Sequence, residues 1–218
     1  MAVIHKTTLT PTKVELLTSW LPGRPWYRGS GTPELERTGG FRLDDPEGEV
    51  GIEFMVVTDG STPAPTAYLV PLTYRGAPLD GAEDALIGTT EHGVLGKRWV
   101  YDGCHDPVLT TELLALIGGT AQAMAQRVSD TPDHEVTRSC TGEPLPTAAH
   151  TPAPAEDADG TSVPAPHGTV LRVHRVLRPV PGAEPPACPA GAVGHVATGW
   201  PGPDGSRLRA VFVELRTA

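Results

Sequence analysis

The chain has 218 residues, 39% of them hydrophobic, and a formal net charge of −9 from 26 acidic and 17 basic side chains. That length allows one domain or two small ones, and that charge repels nucleic acid and anionic membranes at long range. No apolar run of about 18 residues is present, so no membrane-spanning helix is expected.

Met1–Thr8 have neither the apolar core nor the cleavage site of a signal peptide. Cys104, Cys140 and Cys188 lie far apart and form no Cys-x-x-Cys pair, which points to a reducing cytoplasm. Lys6, Lys13 and Lys97 are the only lysines, and with abundant Ala, Gly and Pro this indicates a GC-rich coding bias.

In chain order, Thr10 and Pro11 are read as the N-cap and first turn of a helix whose apolar stripe is Val14, Leu17 and Leu21. Pro22-Gly23 ends it, and Arg24-Pro25-Trp26-Tyr27 is read as an aromatic loop. Strands follow at Phe41–Asp44 and Val50–Thr58, joined by the turn Asp45-Pro46-Glu47-Gly48. Val50, Ile52, Phe54 and Val56 share one face of the second; Met55 and Val57 on the other indicate cover on both sides. A third strand is expected over Ala67–Arg75, with Pro71 marking an edge position or a bulge.

Gly76–Gly96 has little periodicity, and Lys97–Tyr101 is a short strand. Asp106-Pro107 caps a second helix with the stripe Leu109, Leu113, Leu116 and Ile117, stopped by Gly118-Gly119. Thr141–His167, with six spaced prolines and almost no large apolar residue, is read as a linker. Strands are then expected over Gly168–Leu177, Ala192–Gly199 and Arg207–Leu215, the last two joined by Gly202-Pro203-Asp204-Gly205. The fold class is α+β: an antiparallel, curved sheet with two main helices, plus additional C-terminal strands.

Several blocks in this order resemble the N-terminal cap domain of actinobacterial maltokinases. They are Met1–Thr8, Leu16–Pro22, Arg24–Tyr27, Gly40–Pro46, Tyr74–Leu79, His92–Gly96, Arg98–Gly103 and Asp106–Val108. The resemblance covers residues 1–119. It implies a curved antiparallel sheet carrying helices, placed before a kinase-like fold that phosphorylates maltose with ATP and magnesium; related cap-bearing proteins resemble glucosamine kinases. Residues 120–167 are then a Pro/Ala-rich linker and residues 168–218 a C-terminal β segment. Val170–Pro179 looks like the kinase strand that bears the ATP-binding lysine, with Arg172 at the lysine position as a remnant of a kinase N-lobe. Arginine is a poor substitute for a compact ammonium between phosphates.

Kinases of the aminoglycoside type use a His-Gly-Asp loop and a nearby metal-binding Asn. Here His92-Gly93 runs on to Val94, His167-Gly168 runs on to Thr169, and no asparagine occurs among the 218 residues. The resemblance therefore implies a non-catalytic cap-like protein with no cofactor, catalytic residue or metal ligand.

Other clusters have ordinary structural explanations. Cys104-His105-Asp106 lacks a second ligand pair at metal spacing, and Asp106 already caps a helix. Glu91-His92 with Lys97-Arg98 is either an anion site or a solvated loop. Trp26, Tyr27, Trp99 and Tyr101 are the candidate ligand or partner surface, as a platform for a sugar face or as core. The expected partners are an enzyme of α-glucan, maltose or trehalose metabolism, bound by an interaction or regulatory module, or alternatively a carbohydrate ligand. Nucleic acid and membrane are not expected.

Overall fold

The computed structural model describes residues 9–126, 128–141, 153–182 and 184–217. The Met1–Thr8 motif and the central part of the expected linker, 142–152, lie outside them. Among the described residues the architecture is α+β: two α-helices and two antiparallel sheets, one sheet curled into a half-barrel.

Strand β1 (Leu9–Thr10) leads into helix α1 (Lys13–Trp20). The N-cap is Thr12, not Thr10. Thr12 Oγ1 accepts from Glu15 N at 3.2 Å, and Glu15 Oε2 accepts from Thr12 N at 2.7 Å, a reciprocal capping box. Thr10 belongs to β1 and pairs with Glu91. The expected apolar stripe holds, with Leu17 and Leu21 buried.

The first sheet comprises β1, β2 (Leu35–Asp44), β3 (Gly51–Asp59), β4 (Thr66–Arg75), β5 (Leu86–His92) and β6 (Gly96–Asp102). Its order is β1-β5-β6-β4-β3-β2. Strand β2 starts six residues before the expected Phe41. The pair Gly39-Gly40 hides it in the sequence. A register shift falls between Arg37 and Gly39, and at Gly40 (φ +123°) a Cβ would lie 1.9 Å from Phe54 O. Strand β5 lies in the Gly76–Gly96 stretch, whose sequence shows little periodicity.

Strand β4 is interior, not an edge. Its Leu72–Arg75 half pairs with β6, while Leu69 N donates to Arg175 O and Leu177 N to Ala67 O, both at 2.9 Å. Pro71 sits in the gap between these two partners, where a missing N–H removes no ladder bond.

Helix α2 (Pro107–Gly118) has Asp106 as N-cap and Gly119, in the left-handed region at φ 88°, as C-cap. The second sheet follows: β7 (Thr137–Cys140), β8 (Ala155–Glu156), β9 (Gly160–Ala165), β10 (Thr169–His174), β11 (Val180–Pro181), β12 (Ala192–Pro201) and β13 (Arg207–Thr217). Its order is β7-β12-β13-β10-β9-β8, with β11 also on β13.

The linker reading over 120–167 is thus corrected in two places: its first part carries Met124, bridged to Arg42, and strand β7, and 153–167 carries β8 and β9. Thr161 and Val163 point into the core, and Pro164 lies past the end of β8, where a proline costs no bond to that neighbour. The strand expected over Gly168–Leu177 also ends early, at His174. Residues 175–177 leave the second sheet and pair with β4 of the first. A second stitch joins Arg42 and Met124, whose N–H and C=O groups exchange bonds at 2.9 Å.

The halves share one core. Phe41, Phe54 and Val56 from the first sheet meet Leu113 and Ile117 of α2 and Val173, Phe212 and Leu215 of the second sheet. Phe41 stacks on Phe54 at 4.7 Å and faces Phe212 at 6.2 Å. The other face of the first sheet buries Met55, Val57, Tyr68 and Val70 under α1 and Trp26. Strand β3 is therefore covered on both sides, as its sequence indicated.

Candidate functional site

The four aromatic candidates do not assemble into one platform. Trp26 is fully buried, 5.8 Å from Trp20 and 5.9 Å from Tyr68. Tyr27 lies beside Tyr68, and its hydroxyl donates to Asp59 at 2.9 Å. Burial beside that carboxylate pushes its pKa up to about 12. Trp99 and Tyr101 pack elsewhere with Ala82 and Ala85, and Tyr101 accepts a bond from Leu79 N. Trp26 and Tyr101 are core residues, because each polar edge is already used inside the protein.

Trp26 belongs instead to a buried polar seam between the two sheets. Its Nε1 donates to Glu156 of β8 at 2.8 Å, and the Arg175 guanidinium lies 5.1 Å from its ring. Arg175 Nη2 donates to both oxygens of Asp102, at 2.7 and 2.6 Å, and its Nε donates to Thr161 of β9 at 2.7 Å. Cys104 also touches this guanidinium, and burial pushes its thiol well above the usual range, which disfavours the thiolate form.

Several other charged groups are held by partners within the fold. Arg75 grips Asp106 at 2.7 Å through two nitrogens while Asp106 caps α2. Glu91 and Lys97 face each other across the β5–β6 hairpin, and His92 Nδ1 accepts the N–H groups of Val94 and Leu95 at its tip. Arg172 is closed off by Asp157, which takes both of its terminal nitrogens at 2.7 Å, with Ser162 at 3.2 Å. Glu53 is buried under Lys13, Tyr74 and Gln126, with Arg37 at 3.8 Å. No group of three or more His, Cys, Asp or Glu side chains suited to a metal ion occurs among the described residues. No helix among them is long and apolar enough to cross a membrane.

What the sequence did not disclose is a groove of about 740 Å³ at one end of the sandwich. One wall comes from β2, β3 and the start of β4, with Thr38, Thr58 and Thr66. The other comes from 176–179 and the β12–β13 hairpin, with Trp200 and Pro203. Its residues are spread from Arg28 to Leu208, so no local motif could have announced it.

Residues 20–106 match the family described as the maltokinase N-terminal cap domain. No curated protein matches the chain.

Proposed function

We propose that this chain, whose residues 20–106 match the maltokinase N-terminal cap domain, is a non-catalytic interaction or regulatory module linked to α-glucan, maltose or trehalose metabolism in an actinobacterial cytoplasm. The observation that carries the reading is the tip of the β5–β6 hairpin. Val94 is 61% exposed and Leu95 47% exposed, side by side on the cap segment itself. A cap's place is against another folded unit, and two adjacent exposed aliphatic side chains on a short hairpin suit an anchor for such a contact.

The absence of chemistry is supported by the fate of the charged groups. Asp102, Asp106 and Glu53 are each consumed by a structural partner. No asparagine is available among the 218 residues to hold a magnesium ion beside a phosphoryl group. The three cysteines are free, in keeping with a reducing compartment.

The test has two arms. The purified chain, supplied with ATP and magnesium, should phosphorylate neither maltose nor glucosamine. Tagged chain should co-purify one enzyme of α-glucan, maltose or trehalose metabolism in stoichiometric amount, and a Val94→Asp/Leu95→Asp variant should lose it. Phosphoryl transfer, or capture of the same enzyme by the variant, overturns the proposal.

A second reading, a carbohydrate or other small-molecule binding protein, is favoured by the groove. Its volume lies within the roughly 300–1,000 Å³ of ordinary ligand sites.

A further inference from the structure

The groove pairs an apolar floor with a positively charged rim. Pro65, Pro179, Pro201 and Leu208, exposed or half-buried, supply the apolar surface, with Ala67, Leu177 and Trp200 buried among the lining residues. Arg28, Arg37 and Arg178 line it against one acid, Glu36. Asp159 offsets part of this charge, but one of its oxygens is shared by Arg28 and Arg178, so the trio stays net positive. Arg37 lies 3.8 Å from Glu53, a carboxylate already occupied by Lys13, Tyr74 and Gln126. Guanidinium donors are thus concentrated at one mouth of a chain whose net charge is −9. The hydroxyls of Thr38 and Thr58 meet at 3.0 Å, which uses one donor and leaves the other hydroxyl hydrogen and further lone pairs for a third group.

We infer that the groove binds a small organic phosphate whose body carries hydroxyl groups. The phosphate meets Arg37 and Arg178, and the hydroxylated body lies over the apolar floor beside Thr38 and Thr58. Guanidinium groups recognise phosphate through paired N–H donors, and such charge-assisted bonds are about twice as strong as neutral ones. A neutral saccharide held by stacking would need an open ring face. Trp200 is 1% exposed and packs on Phe212 at 5.9 Å, so it offers none. The inference rests on the small-molecule reading and names the ligand class for it.

The test is calorimetric titration of the full chain with glucose 1-phosphate, glucose and inorganic phosphate in separate runs. Glucose 1-phosphate should bind, glucose should bind at least about tenfold more weakly, and inorganic phosphate should compete weakly, as expected when charge-assisted bonds carry the affinity. Arg178→Gln, which alters a mostly exposed side chain, and Arg37→Gln should each weaken glucose 1-phosphate about tenfold. Lys97→Gln, on the distant hairpin, should leave it unchanged. No heat with glucose 1-phosphate, or affinity unmoved by Arg178→Gln and Arg37→Gln alike, overturns the site. Equal binding of glucose overturns the anion requirement while leaving a carbohydrate site standing. None of these outcomes bears on the docking reading, which the Val94→Asp/Leu95→Asp capture decides separately.

Discussion

Arg175 and Asp102 lie 73 positions apart in the chain and meet at 2.6 Å, with side-chain exposures of 0% and 3%. One comes from the segment that leaves the second sheet, the other from the last residue of β6. The pair therefore clamps the C-terminal half onto the cap segment at a point water does not reach.

Breaking that pair on one side should be costly. Asp102→Ala leaves a buried guanidinium uncompensated and removes the acceptor for Cys104 N, for a loss of about 3–5 kcal/mol. Replacing both partners at once, Asp102→Leu with Arg175→Met, should cost less than the sum of the single changes, because no orphan charge remains. Urea denaturation of the two single variants and the double variant measures the coupling directly.

Glu53 sets a pH dependence. Burial raises its pKa, but the Lys13 ammonium, its hydrogen bond and that of Tyr74 outweigh burial and hold the carboxyl below its ordinary value of 4.5. A depressed folded-state pKa gives stability that is fully present above the unfolded value. That stability is lost as pH falls through the folded value. Below about pH 4.5 the wild type should therefore lose stability faster than Glu53→Gln, although the variant is the less stable at neutral pH. Thermal melts from pH 3 to pH 7, roughly the span of carboxylate titration, compare the two slopes.

Thiol chemistry should separate the cysteines. Cys188 is exposed, whereas Cys104 is 1% exposed with its thiol pushed upward by burial. A chromogenic disulfide reagent should modify Cys188 at once in the native state and reach Cys104 only when the chain unfolds. Mass mapping of the labelled sites reads the order.

The shared core should melt as one unit. Phe212→Ala removes the ring that faces Phe41 at 6.2 Å and should cost about 3–5 kcal/mol. Intrinsic tryptophan fluorescence, far-ultraviolet circular dichroism and calorimetry should report the same single transition. Two separate transitions would show that the halves fold independently.

The sequence disclosed what periodicity and punctuation can carry. Leu17 and Leu21, the two-sided burial of Val50–Thr58, the Asp106-Pro107 cap and the Gly202–Gly205 turn are local patterns, and each was legible. Strand β9 was not, because Pro164 and Pro166 look like linker residues unless one knows that β8 ends before them. Nor was the N-terminal part of β2, where Gly39-Gly40 interrupts the alternation with a bulge. The expected aromatic surface does not form as one face: Trp26 and Tyr101 are buried, in different clusters. Their distribution between two separate clusters depends on strand order, which no spacing encodes. The Arg175–Asp102 pair and the groove share that property: their contacts join distant segments.

The bridge from Arg175–Leu177 to β4 makes the cap segment here a poor module for transplantation. Cut out as residues 20–106, it would present the Ala67–Leu69 stretch of β4 with no neighbour on one side and no cover for Phe54 and Val56 on one face. A row of unpaired backbone groups beside bare apolar surface invites pairing between copies. During synthesis the same exposure lasts until Leu177 has left the ribosome, some seventy residues after the cap segment is complete, at translation rates of about 5–20 residues per second. For several seconds each nascent chain is a strand edge waiting for its own tail, and in that interval a chaperone or a neighbouring chain has access to what the finished fold conceals.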